Sequence, residues 1–386
     1  MIPAETEALL EPLERFEGIR RRVARLGDRL CDLSYANPYE GAVSAARQAV
    51  REALQDERSL DLQYAPFGGQ PLARRACADA LRESHGLPFI PADVVLTPGA
   101  MAALQLALRV AGAPGGEVVI PTPCWLDHPL YAHTLGLEPR LVPLPDGDFR
   151  LDVEAIASAI SPDTCAVMLT HPGNPTGRSH SSTELAALGD AIRAAQEHHG
   201  ARVTLIADEV HRDFVPTPYA TAAQAFERTI VVYSFGKYHF MQGQRLGYAA
   251  VAPDHPEREE AAAELVRWTR IAGIATPTAL MQRALPRLLA LRHDQSWLAP
   301  LRRRLIAGLE GAGYEVVEPD GTLFVYARTP DRYADDFAFI EELAGRGVLA
   351  LPAPVFHHSG WFRLALTASE DMIARALPVL EELGPA

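Results

Sequence analysis

Ser234-Phe-Gly-Lys-Tyr-His-Phe-Met-Gln-Gly-Gln-Arg-Leu-Gly-Tyr248 follows a short apolar run, Thr229 to Tyr233, that predicts a buried strand. From Thr229 to Tyr248 the only charged side chains are Lys237 and Arg245. A lysine among apolar groups and near a second cation gives up its proton more easily, and the free amine is a nucleophile toward carbonyls. Arg245, between Gly243 and Gly247, offers a fork suited to a phosphate. Ser234 offers a hydroxyl to the same anion. Taken alone, the stretch is equally a strand end with a snorkelling lysine and a loop arginine.

Working outward, the chain alternates short apolar runs with helical stretches. Val94-Val-Leu leads into Thr97-Pro-Gly-Ala-Met, a strand, turn and helix start. The free N–H groups of such a helix start, with Gly99 allowing close approach, make a site for phosphate at Gly99, Ala100 and Met101. Glu117 to Pro121 predicts the next strand, with Trp125 and His128 on the loop after it. A tryptophan there can cover a flat ring. Cys165 to Thr170 and Val203 to Ala207 predict two more strands, ending at Asn174-Pro-Thr-Gly and at Asp208-Glu-Val-His211. A carboxylate at the C-terminal end of a parallel strand faces the crevice where such sheets bind ligands. Helices are expected over 5–30, 41–56, 152–160, 182–197, 259–272 and 278–313, with Arg302, Arg303 and Arg304 solvated. Toward the C-terminus, Gly321–Tyr326 and Val348–Pro352 predict strands around a helix over 336–346. Arg363 sits in a further strand, Trp361–Leu366, where an inward charge needs an anionic partner.

The 386 residues suffice for two domains, and 48% apolar with 22% charged is ordinary for a globular protein. A net charge of −13 argues against binding nucleic acid or anionic membranes. No apolar run reaches membrane-span length and the N-terminus lacks a signal-like apolar stretch, so a cytoplasmic protein is expected. Cys31, Cys77, Cys124 and Cys165 are scattered, which predicts four reduced, buried thiols and no metal site.

Ser234-Phe-Gly-Lys237 with Gly243-Gln-Arg245-Leu-Gly247-Tyr248 resembles the Schiff-base segment of the aspartate aminotransferase superfamily. These class I/II, fold-type I enzymes use pyridoxal 5'-phosphate (PLP). Trp125, Asn174, Asp208, Lys237 and Arg245 reproduce the family's order. The resemblance implies an α/β fold: a large domain with a mostly parallel sheet flanked by helices, plus a smaller α+β domain built from both chain ends. The large PLP-binding domain would span 46–284, and the small one 1–45 with 285–386. It implies Lys237 as Schiff-base lysine and general base, and Asp208 on the ring nitrogen. Trp125 would stack on the ring, with His128 behind Asp208. Asn174 and His211 would face the phenolic oxygen. Gly99, Ala100, Met101, Ser234, Arg245 and a Tyr64 from the other subunit of a homodimer would hold the phosphate. Arg363, with Asn174 and the loop at Ala36, would bind substrate.

The chain departs from the family's pattern at Ala36 and Gly236, where glycine and serine are usual, and at His211, where tyrosine is usual. The expected reaction is transfer of an amino group between an α-amino acid and a 2-oxo acid. His211 keeps a second reading open, a PLP-dependent lyase or cyclase working by β/γ-elimination or replacement. A non-catalytic PLP sensor is disfavoured, because about 30 residues before the first family loop are too few for a DNA-binding domain.

Overall fold

The apolar runs become strands because helices cover both of their faces. The computed structural model describes residues 2–38, 44–55, 63–215 and 218–385. Its large sheet has seven strands, in the order Val94–Thr97, Gly247–Val251, Thr229–Ser234, Thr204–Asp208, Thr164–Thr170, Glu117–Thr122, Glu138–Pro143. Gly247–Val251 runs antiparallel to both neighbours, and the other pairings are parallel. Side chains alternate across the sheet. Ile206 packs under helices Ala100–Ala111 and Arg258–Ile271, while Leu205 and Ala207 pack against Ser182–His199. Likewise Val232 faces the first layer, and Val231 and Tyr233 face helices Pro71–His85 and Ala279–Ala290. A one-residue slip would turn each of these sets to the wrong layer. The edge strand Glu138–Pro143 is mostly solvated and carries Pro139 and Arg140, which blunt it against further pairing.

A smaller α+β unit is built from the two ends of the chain. Its antiparallel sheet orders Leu351–Pro352, Trp361–Ala365, Phe324–Arg328 and Val316–Val317. Phe16 and Ile19 of helix Ala4–Val23 share its core with Phe324, Phe339, Phe362 and Leu364.

Four expectations change here. The run Val348–Pro352 is not one strand. Val348 and Leu349 pair in parallel with Cys31 and Asp32, whereas Leu351 and Pro352 pair antiparallel with Arg363 and Phe362, so the chain changes sheets at Ala350. The strand expected from Gly321 begins at Phe324. A Cβ at Gly321 would stand 2.2 Å from Val215 Cγ1, and Thr322 has φ +66°, so this corner is a turn. The helices expected over 278–313 are Ala279–Ala290 and Leu298–Gly311, so this stretch stands as read. Arg302 is half-buried and donates to the Thr322 carbonyl at 2.7 Å, and Cys165 is only half-buried, its Sγ donating to the Glu117 carbonyl at 3.2 Å.

Candidate active site

The parallel strands end together, and their last residues open into one cavity. It is lined by Ala100, Met101, Trp125, Thr170, Asn174, Asp208, His211, Ser234, Lys237, Gln242 and Arg245, with Leu104 and Val210. Nine of these side chains are ones the sequence singles out, drawn from residues 100 to 245.

Strand Thr204–Asp208 delivers Asp208, which is buried. Its Oδ1 accepts from the Val210 N–H at 3.3 Å, and its Oδ2 lies 3.4 Å from His128 Nε2. That separation is long for a hydrogen bond, and neither ring nitrogen of the fully buried His128 has a partner among the described residues. Below Asp208, the buried Glu209 lies 2.7 Å from His85 Nε2 and accepts from Thr221 Oγ1 at 2.6 Å and Arg212 Nη1 at 3.2 Å. These partners outweigh its burial and hold its carboxyl at about 2, so the turn carrying Asp208 and His211 rests on a charged, hydrogen-bonded base.

Lys237 sits on a single helical turn, Phe235–Tyr238, whose cap is Ser234: its Oγ accepts from the Gly236 N–H at 3.3 Å. Burial pushes the amine down, Arg363 and Arg245 push it further, and Asp208 opposes them, leaving a pKa of about 8. Lys237 is also the only lysine in the chain, among 36 lysines and arginines. Pooled counts of basic residues hide this signal: arginine fills every other Lys or Arg position, and the chain's one lysine amine lines this cavity.

Arg245 is exposed in the left-handed region, at φ +49°. Its Nη1 donates to the Gln242 carbonyl at 3.0 Å, and its Nη2 reaches toward Met101 Sδ at 3.7 Å. A Cβ on Gly99, itself at φ +85°, would stand 2.7 Å from Arg245 Nη2. Glycine is thus required twice over, by conformation and by close approach. Helix Ala100–Ala111 begins there with no side-chain cap, leaving its first N–H groups for a ligand.

Arg363 is 1% exposed, and no carboxylate pairs with it among the described residues. Its Nη1 donates to Asn174 Oδ1 at 2.7 Å and its Nη2 to the Ser34 carbonyl at 2.6 Å, while Nε has no partner. The guanidinium stands over the rings of Phe324 and Phe356, 4.1 and 4.9 Å from their centroids. Burial lowers it to about 9, so it stays charged at neutral pH. Asn174 spends its oxygen on Arg363 and keeps its Nδ2 donor for a ligand. His211 is fully enclosed, and burial, with Lys237 and Arg363, holds it neutral. Its ring stands edge-on to Phe324 at 5.2 Å, and its Nδ1 is unpartnered.

Five expected site residues are not among the cavity's lining: Gly99, His128 and Arg363, which meet the lining residues Arg245, Asp208 and Asn174, and Tyr64 and Ala36. Tyr64 is fully exposed, and Ala36 is buried with its carbonyl taken by Gln242 Nε2 at 2.9 Å. Arg270 is exposed over the ring of Phe67, at 5.3 Å, as a surface arginine should be. Thr170 and Gln242 line the cavity without having been singled out. Thr170 is the register partner of Asp208 and ends its own strand, a position that strand-end reasoning covers. Among the described residues, no group of three or more His, Cys, Asp or Glu side chains could hold a metal ion.

The sequence pattern of the family described as aminotransferase class I and II matches residues 30–380. The chain belongs to this family. The aminotransferase is 30% identical over 361 residues to the aspartate/prephenate aminotransferase of Thermus thermophilus, covering 92% of this chain and 90% of that one. It is 32% identical over 311 residues to a probable N-succinyldiaminopimelate aminotransferase of Mycobacterium tuberculosis, covering 76% and 75%. Among solved structures, an aminotransferase of Eubacterium rectale superposes with a TM-score of 0.90 at 25% identity, covering 99% of this chain and 98% of that one. Thermus thermophilus aspartate aminotransferase with maleate superposes at 0.84 and 25% identity, covering 99% and 97%. The enzyme moves an amino group between an α-amino acid and a 2-oxo acid, and its cofactor is PLP.

The residues present fit that cofactor. The open helix start beside Gly99 and Arg245 suits a phosphate, and the low-pKa amine of Lys237 suits an aldehyde. In the apoenzyme, the free amine of Lys237 grows as pH rises and levels off above about 8. Labelling with an amine-directed reagent, read by mass, should follow that midpoint. Arg245→Gln removes one of the depressing cations and should move the midpoint upward; a wild-type midpoint near 10.5 would contradict the geometry.

Proposed function

We propose that this cavity is the transamination site and that its residues divide the work as follows. Lys237 would hold the cofactor through its amine and, once freed, would take the proton from the substrate Cα and deliver it to the carbon that had been the cofactor's aldehyde. Asp208, backed by His128, holds the ring nitrogen protonated. Bound PLP supplies the electron sink that makes the Cα proton acidic. Trp125 covers the ring, and Asn174 Nδ2 and His211 donate to its phenolic oxygen. Gly99, Ala100, Met101, Ser234 and Arg245 hold the phosphate. Arg363 receives the substrate carboxylate, with the loop at Ala36 beside it. The observation that carries this reading is Arg363: a buried cation with no carboxylate partner among the described residues, held open by Asn174 and Ser34 near the amine of Lys237.

The phosphate cradle is completed by Tyr64 of a second copy in a homodimer. In its support, Tyr64 is fully exposed, and Phe67, three residues on, is also an exposed large apolar side chain. Sedimentation of the active enzyme tests this, and a fully active monomer would refute it. The division into a large domain over 46–284 and a small one over 1–45 and 285–386 is supported by separate cores on the two sheets. Four free cysteines support a reducing, cytoplasmic location. No helix among the described residues is long and apolar enough to cross a membrane.

Names of relatives point to dicarboxylic and related amino acids as the first donors to try. The test is to add single amino acids to the enzyme without any keto acid. The visible band near ~420 nm should convert to a stable band near ~330 nm with the correct donor. A band that recovers while ammonia accumulates would instead mean elimination.

A further inference from the structure

Gln242 reaches across the site from the turn that follows Lys237. Its Nε2 donates to the Ala36 carbonyl at 2.9 Å, joining residues 206 positions apart. Ala36 lies two residues beyond Ser34, whose carbonyl accepts from Arg363 Nη2. The near end of this loop is well fixed: the Ser34 N–H and hydroxyl both donate to Asp32 Oδ1, and the Leu33 N–H donates to the Leu349 carbonyl at 2.9 Å. Past Ser34, the Asn37 N–H bonds only locally, to the Tyr35 carbonyl at 2.8 Å. Tyr35 is held by its side chain, its hydroxyl donating to Glu17 Oε1 at 2.7 Å, and beyond it the Ala36 carbonyl is held by Gln242, the anchor that comes from the cofactor side of the site.

The other end of Gln242 is tied to the cofactor side. Its carbonyl accepts from Arg245 Nη1, and the preceding Met241 N–H donates to the Gly236 carbonyl at 2.9 Å. A Cβ on Gly236 would stand 2.9 Å from Gln242 Cα, closer than real side chains approach. The missing side chain at 236 thus lets the turn close down and bring Gln242 within reach of Ala36. Two departures from the family's pattern, at 236 and at 36, meet in one residue. A neutral amide suits the place: it donates a hydrogen bond without adding a further cation beside Lys237.

We propose that Gln242 is a positioning residue for the amino-acid substrate. It fixes the Ser34–Ala36 loop through the Ala36 carbonyl, and through that loop the orientation of Arg363. The inference rests on the reading of Arg363 as the carboxylate-binding group.

The test is Gln242→Met in the holoenzyme, which keeps the bulk and removes the donor. KM for the amino donor found in the half-reaction screen should rise about three- to tenfold, the worth of one hydrogen bond. kcat should stay within about twofold, and the cofactor's visible band and affinity should not move. Amide hydrogen exchange in the peptide spanning 34–38 should quicken severalfold, a readout that needs no substrate. Unchanged KM together with unchanged exchange would overturn the proposal, as would a fall in kcat at constant KM, which would mark a direct part in proton transfer. Arg363→Lys separates the two layers. If it leaves KM unchanged, the carboxylate reading itself fails. If it raises KM while Gln242→Met does not, that reading stands and only the positioning role falls.

Discussion

Replacing Lys237 by alanine is expected to lower kcat by ~10⁴-fold or more and to end borohydride-reducible attachment of the cofactor. The expected loss is large because the proposed role gives one group two tasks, nucleophile toward the cofactor and carrier of the proton. No other side chain can substitute, since no second lysine exists in the chain. The loss should be chemical and not structural. Lys237 is a cation enclosed near two arginines, with only Asp208 in opposition, so its removal relieves repulsion. Thermal stability of the cofactor-free chain should stay level or rise. A Lys237→Ala enzyme that still held the cofactor by a reducible link would refute the assignment outright.

The second large effect belongs to Arg363. Arg363→Met should lower kcat/KM by ~10²- to 10³-fold while leaving the visible band intact, because in the proposed role the guanidinium meets the substrate and not the cofactor. Its two donors to Asn174 and Ser34 fix the plane of the fork, and two aromatic rings prevent it from swinging away. The same substitution should not destabilise the fold. A buried cation without a carboxylate costs desolvation that an apolar side chain does not. Activity and stability are then expected to move in opposite directions, which melting curves and steady-state rates on one preparation would show. An unchanged KM would remove the carboxylate role.

Strand ends carry most of what is legible in the sequence. Continuous apolar runs at 94, 117, 165, 203 and 229 mark the doubly covered sheet, and residues at or within a few positions of the strand ends, Trp125, Asn174, Asp208 and Lys237, converge because parallel strands end on one side. What is not legible depends on partners remote in the chain. Gln242 sits within the very stretch that draws attention, yet a loop glutamine has no signature until Ala36 comes beside it. Glu209 follows Asp208 directly, but its role as a base for the turn needs His85, 124 residues away. The change of sheets at Ala350 is equally hidden, since both halves of Val348–Pro352 have strand-like composition and only the two partners tell them apart. Arg302 reads as solvated by its place in an arginine triplet and is drawn inward by one carbonyl of the 321–324 corner.

An aldehyde cofactor can condense with any unprotonated amine it meets. In most proteins dozens of surface ammonium groups compete for it, and each stray condensation consumes cofactor and alters charge. Here the solvated basic groups are guanidinium forks, which stay protonated and form no such link under ordinary conditions. Apart from the chain's own amino terminus, the molecule offers the aldehyde a single address. Selectivity of attachment is thereby achieved by subtraction as much as by tuning. Digestion with a lysine-directed protease turns this into an assay: the bare chain has one cleavage point, and a cofactor reduced onto Lys237 should erase it.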